Sequence, residues 1–230
     1  MFDQLIIGAR ASYDDFGASL AGRKIKPPKK KSIKETVPFS NETYDFSRIG
    51  GELFWEERDL EYTFEMTADT PEELEDKKRA FTAWVANVFE DEIHDPYIPG
   101  YHFIGTYEDM DPEDEETLDK TTITVSFKAY PYAIANQPKI YEQTIPPKTT
   151  ITLVVVNEGV RRVVPTMMTE SGVLEVQYGS TVYQLQGFDL TGGDGTARLV
   201  FEPGAHRLTL KNTSTQWPVL FSLDFTEEVF

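Results

Sequence analysis

Leu60-Glu61-Tyr62-Thr63-Phe64-Glu65-Met66-Thr67 alternates apolar and polar residues without a fault. A strand with one face in a core and the other in solvent has this period of two. Ile123, Val125, Phe127 and Ala129 alternate in the same way with Thr122, Thr124, Ser126 and Lys128, and the two strands are expected to share a sheet. Between them the period becomes helical. Thr70 suits an N-cap, Pro71 fits the first turn, and Glu73 completes a Thr-x-x-Glu capping box. Leu74, Phe81, Trp84, Val85 and Val88 then form one stripe, with Lys77, Lys78 and Asn87 outside it. Glu72, Glu73 and Asp76 sit near the positive end of the dipole. This predicts a helix over about 71–89 whose aromatics pack on the sheet.

The pattern is less regular elsewhere. Residues 90–107 hold Pro96, Tyr97, Pro99, Gly100, Tyr101, His102, Phe103 and Tyr107 and read as a loop. An acidic run from Glu108 to Asp119 follows, read as a solvated hairpin tip. Its alternate acids suggest a calcium loop, but the sixth place lacks glycine and the twelfth is Lys120. Pro131, Pro138, Pro146 and Pro147 crowd the next stretch. Proline lacks an amide donor and fixes its own φ, so 136–147 is expected to be a semi-rigid linker. Beyond it, short apolar runs at 151–156, 160–164, 173–178, 182–185, 198–201, 206–210 and 219–225 are separated by turn signals. These include Asn157-Glu158-Gly159, Gly192-Gly193-Asp194-Gly195 and Pro203-Gly204. Such spacing without a helix describes a β-sandwich over 148–230. The fold class is therefore mainly β with one clear α-helix, in two domains, 1–135 and 148–230.

Composition narrows the chemistry. At 230 residues with 40% hydrophobic residues, the chain can bury a core in each of two domains. It has no cysteine, which excludes disulfide scaffolds, cysteine zinc sites and thiol catalysis and suits folding in a reducing cytoplasm. No stretch approaches the roughly 18 apolar residues of a membrane span, and the first ten residues read as neither signal peptide nor anchor. Lys and Arg number 22 against 39 Asp and Glu, a net charge of −17 that argues against direct nucleic-acid binding.

That charge is segregated. Lys24, Lys26, Lys29, Lys30, Lys31 and Lys34 lie in a basic arm, about 22–38, with no acid from Lys24 to Lys34. From Glu52 to Asp119 acids dominate, and Arg58, Lys77, Lys78 and Arg79 are the only basic residues. Two readings stand. Either a solvated basic loop lies beside a solvated acidic face, or the arm of one subunit lies on the acidic face of the next, a head-to-tail contact that can close a ring. The six lysines are accordingly the subunit-interface candidates.

Nothing in the sequence assembles a catalytic, cofactor or metal site. His94, His102 and His206 fall in separate expected loops or strand starts, and no histidine or carboxylate is spaced as a metal requires. Gly-x-Ser-x-Gly elbows and phosphate loops are missing. Glu56 and Glu57 are adjacent on a strand and point to opposite faces, unlike the facing carboxyls of a glycosidase. Trp217, Tyr178 and Tyr183 are the candidates for a glycan platform, though Trp217 beside Pro218 is expected to pack as a core or edge aromatic.

The succession from residue 8 to 132 carries a resemblance. Gly8 and Tyr13-Asp14-Asp15-Phe16-Gly17 come first, then the lysine arm ending in Val37-Pro38, then a Thr43-Tyr44-Asp45-Phe46-Ser47 turn. The Arg58 strand, the helix and Phe127-Lys128-Ala129-Tyr130-Pro131-Tyr132 follow. This order resembles the distal tail (Dit) proteins of long, non-contractile-tailed bacteriophages. The resemblance implies an N-terminal ring-forming β domain and a C-terminal galectin-like or carbohydrate-binding-module-like sandwich. It implies a virion component rather than an enzyme, assembled in the bacterial cytoplasm and carried at the tail tip. Self-association into a ring, with six copies expected, would join the tail tube protein to tail-associated, fibre or receptor-binding proteins. DNA would pass through the channel without specific binding, and no membrane or cofactor is involved. The alternative is a carbohydrate-binding module recognising host surface glycan. Galectins grip galactose with a His-x-Asn-Pro-Arg segment, which Ala205-His206-Arg207 does not reproduce.

Overall fold

The computed structural model describes residues 3–36, 39, 43–47, 53–114, 119–170, 172–186 and 199–230. Val37-Pro38, the centre of the acidic run at 115–118 and the Gly192–Gly195 turn lie outside them. The chain divides into two units, Met1–Ala133 with Phe230, and Ile134–Val229.

In the first unit the elements are β1 (Ile6–Ile7), β2 (Arg10–Ala11), α1 (Ser12–Phe16), β3 (Ser19–Ile25), β4 (Lys34–Thr36) and β5 (Thr43–Asp45). They continue with β6 (Arg58–Thr67), α2 (Pro71–Val85), β7 (Asp91–His94), β8 (Tyr101–Asp114) and β9 (Lys120–Ala129). The sheet runs β2-β1-β7-β8-β9-β6-β3, with antiparallel neighbours throughout. The two alternating strands do share it: β6 and β9 pair from Arg58↔Ala129 to Thr67↔Lys120. Leu60, Tyr62, Phe64 and Met66 are buried on one face together with Ile123, Val125 and Phe127.

Helix α2 covers that face. The Glu73 amide donates to Thr70 Oγ1 at 3.2 Å, and the Glu73 carboxylate reaches back to the Asp69 amide at 3.3 Å. Phe81 meets Phe64 at 5.1 Å and Phe16 at 6.0 Å, edge to face, and Trp84 stacks on Phe16 at 4.7 Å. The helix stops at Val85, short of the predicted 89. Asn87 and Val88 take turn bonds to Trp84 and Val85, and Glu90 adopts a φ of 53°. Helix α1 is a second, single-turn helix that the sequence pattern missed. Gly17 closes it at φ 70°, a left-handed conformation that favours glycine.

The loop expected at 90–107 is largely strand. Ile93 and Phe103 pair across β7 and β8 and are buried, so only Asp95 to Gly100 turns the chain. The expected turn at 43–47 contains β5, which pairs with β4 as a short hairpin in the arm.

After β10 (Ala133–Ala135), which spans the division, the second unit holds β11 (Lys139–Ile145), β12 (Thr150–Asn157), β13 (Thr166–Thr169), β14 (Val173–Tyr178), β15 (Thr181–Gln186), β16 (Gly204–Asn212), β17 (Val219–Phe225) and β18 (Glu228–Val229). One sheet is β11-β17-β13, and the other is β12-β16-β14-β15. Phe221, Leu223 and Phe225 from the first meet Val155, Leu174, Val176, Leu208 and Leu210 from the second in one core, which makes a β-sandwich.

The linker reading of 136–147 fails. β11 pairs with β17 along its whole length, because the prolines flank Lys139–Ile145 rather than interrupt it. The strand expected at 160–164 reduces to a single bridge, Val163↔Phe201, and that bridge is also what is described of the run at 198–201. In its place β13 supplies the third strand of the smaller sheet.

Candidate assembly interface

Six lysines were candidates for one surface, and the fold separates them. Lys24 and Lys26, on and just beyond β3, lie beside β6. Lys24 Nζ is 3.5 Å from Glu61 and Lys26 Nζ is 3.0 Å from Asp59. Asp59 also contacts the Lys128 ammonium. Hydrogen bonds from Lys128 and then Lys26 hold its carboxyl down at about 2. Because this pKa lies below that of an unfolded aspartate, the pair favours the folded state above about pH 4. That contribution fades as pH falls through about 2. An NMR titration should place the Asp59 midpoint near 2, and Asp59→Asn should remove this share of the acid sensitivity.

Past Lys26 the chain leaves the sheet. The Lys31 amide donates to the Phe54 carbonyl and the Glu56 amide to the Lys29 carbonyl, both at 2.8 Å, around an isolated bridge between Lys30 and Trp55. Lys30 Nζ lies over the Trp55 ring, 5.8 Å from its centre. Beyond this root, β4 and β5 pair from Lys34↔Asp45 to Thr36↔Thr43. The Ile33 amide donates to Ser47 Oγ and the Phe46 amide to the Ile33 carbonyl.

Lys29, Lys31 and Lys34 are exposed, and none makes an ion pair with a described residue. Ile33, Tyr44, Phe46, Leu53 and Phe54 are exposed beside them, with Tyr44 and Phe46 stacked at 6.3 Å. Uncovered aromatics grouped in this way mark an interaction surface, and the free cations beside them give it a charge complementary to an acidic partner. The aromatic half of that surface was not singled out from the sequence.

Arg58 anchors the arm from beneath. It is only 5% exposed, lies over Phe103 at 5.1 Å, and donates to the carbonyls of Lys26 and Pro131. Burial lowers its pKa. Nearby, Asp95 is buried and accepts from Arg23 Nη1 at 2.8 Å and from the Tyr97 amide. Opposite charge is abundant on the same unit. Glu72, Glu75 and Asp76 on α2 and Glu108, Asp109, Asp111 and Glu113 on β8 are all exposed.

The glycan candidates do not converge. Tyr178 Oη donates to His206 Nδ1 at 2.8 Å, and His206 Nε2 donates to the Glu202 carbonyl, so both are held within the unit. Tyr183 is half-buried opposite Val176. Trp217 is not packed as expected; it is 70% exposed. Its carbonyl is held by the buried Asn212, which pairs with Leu174, and its amide donates to Ser214 Oγ. Leu174 and Tyr178 are four residues apart on β14, about 13 Å at a strand's rise. Trp217 is thus held from the Leu174 end of β14, and among the described residues no ring contact joins it to Tyr178 or Tyr183.

His94 and His102 are not in separate loops. They face one another across β7 and β8 with rings 5.2 Å apart and Glu92 at 3.2 and 3.9 Å. Among the described residues no group of histidines and carboxylates converges to hold a metal. Glu56 and Glu57 are exposed next to the arm root. No described helix is long and apolar enough to cross a membrane.

No protein-family model matches the chain, and no curated protein sequence does. A solved structure does. The SPP1 Dit (gp 19.1) protein, described as a paradigm of the hub adsorption apparatus in phages infecting Gram-positive bacteria, aligns with a TM-score of 0.65 at 15% identity. The alignment covers 98% of this chain and 99% of that one. The chain has the Dit fold. Both units lie within the match, so the likeness in fold takes in the arm-bearing sheet and the sandwich alike.

Proposed function

We propose that this protein is a phage distal tail hub whose subunits close into a ring through the first unit. The observation that carries this reading is the end-to-end likeness to the Dit fold. Identical subunits joined head to tail close a ring when the rotation per copy divides a full turn. The arm supplies one half of such a contact, with Lys29, Lys31, Lys34, Tyr44 and Phe46 exposed, and the acidic surface of α2 and β8 on the next copy supplies the other. The role is structural, without a catalytic step. Six copies would join the tail tube to tail-associated, fibre or receptor-binding proteins in the virion. A lumen built from subunits of net charge −17 repels phosphate and lets DNA pass without holding it. Light scattering with negative-stain imaging of the whole chain tests this. Rings of uniform size are expected, and a strict monomer at high micromolar concentration overturns the reading.

The exposure of Trp217 favours a second reading, glycan recognition by the sandwich. Here Trp217→Ala should change stability by no more than about 0.5 kcal/mol, as surface substitutions do. The same variant should abolish any signal on a glycan array. An array with no signal for the native chain removes this reading and leaves the ring untouched.

A further inference from the structure

The root of the arm is held to the body by little backbone. A single bridge, Lys30↔Trp55, and the flanking bonds from the Lys31 and Glu56 amides are what an isolated contact provides. The side chains around Trp55 provide the rest. Phe230, which belongs to the first unit, sets its ring edge-on to Trp55 at 4.7 Å and 68°. Its other side stacks on Tyr132 at 5.3 Å and 27°. Tyr132 is buried and lies 5.5 Å from Tyr130, so it is a fixed wall. The order Tyr132, Phe230, Trp55, Lys30 is thus a continuous stack from the body to the arm. Phe230, its middle link, is half-exposed, at 51%.

We propose that Phe230 is a positioning residue for the basic arm: it latches Trp55 to Tyr132 and so fixes the direction in which Lys29, Lys31 and the β4–β5 hairpin project. Offset and edge-to-face aromatic contacts hold rings in defined orientations, and Lys30 completes the stack by a cation–π contact. An arm that must meet a neighbouring subunit binds more tightly when it is already oriented, because less freedom is lost on contact. That consequence rests on the assembly reading above; the latch itself does not.

The test uses the amides that the latch protects. In the full chain, Phe230→Ala should speed hydrogen exchange at the Lys31 and Glu56 amides by about tenfold or more through local opening. The β6 and β9 amides around Tyr62 and Val125 should not change. Phe230→Tyr, which keeps the ring, should restore slow exchange at both root amides. Unchanged exchange at Lys31 and Glu56 in Phe230→Ala overturns the proposal. So does acceleration spread equally over β6 and β9, which marks a general stabiliser instead. These readings are taken on the subunit's own backbone, so a failed latch is distinguishable from a failed ring.

Discussion

Replacing Phe81 by alanine should destabilise the first unit by about 3–5 kcal/mol, the range for deleting a buried aromatic from a core. Phe81 is fully buried and touches Phe64 on β6 as well as Phe16 on α1. Its loss therefore opens the seam between α2 and the sheet. Trp84 stacks on Phe16 beside that seam and reports on it. In a Trp55→Phe, Trp217→Phe background, urea unfolding followed by Trp84 fluorescence should show an earlier midpoint with an unchanged slope. A loss under about 1 kcal/mol would mean that α2 is not held by this contact. Lys78, on the same helix, is a contrast. It pairs with Asp114 at 2.7 Å and Glu75 at 3.0 Å, but these carboxylates are exposed, and such pairs contribute little.

The elements legible in the sequence are those whose period is set by one buried face. β6 and β9 alternate because each has solvent on one side and α2 on the other. The start of α2 was legible because Thr70, Pro71 and Glu73 act locally, within one turn. β11 was hidden because Pro138, Pro146 and Pro147 surround it, and its pairing with β17 is decided by residues some eighty positions away in sequence. β7 is only Asp91–His94, too short to show any period, and is ordered by β1 and β8 on its two sides.

The candidate site was legible in part for the same reason. Charge segregation is visible along the chain, so the arm stood out. Which lysines are engaged depends on long-range contacts, and Asp59, Glu61 and Trp55 claim Lys26, Lys24 and Lys30. Trp217, beside Pro218, was expected to pack as a core or edge aromatic. The buried Asn212 holds its backbone instead, through bonds that no sequence window displays.

Reversing Lys29, Lys31 and Lys34 together to glutamate should raise the dissociation constant of the proposed ring by about a hundredfold or more. In the proposed assembly, each reversal replaces an attraction by a like-charge contact with the acidic face of the next subunit. Such contacts cost several kcal/mol where they are close, and about 1.4 kcal/mol is a factor of ten. The subunit's own stability should stay within about 0.5 kcal/mol, because all three side chains are exposed and pair with no described residue. Lys24→Ala is the matched control. Its ammonium already faces Glu61 of the same chain, so removing it should leave assembly unchanged. Native rings should also loosen in ~1 M salt, where the screening length falls to about 3 Å. If the triple variant assembles as well as the native chain in sedimentation velocity, charge on the arm does not hold the ring. The exposed Tyr44 and Phe46 would then have to carry the contact alone, and assembly should be insensitive to salt.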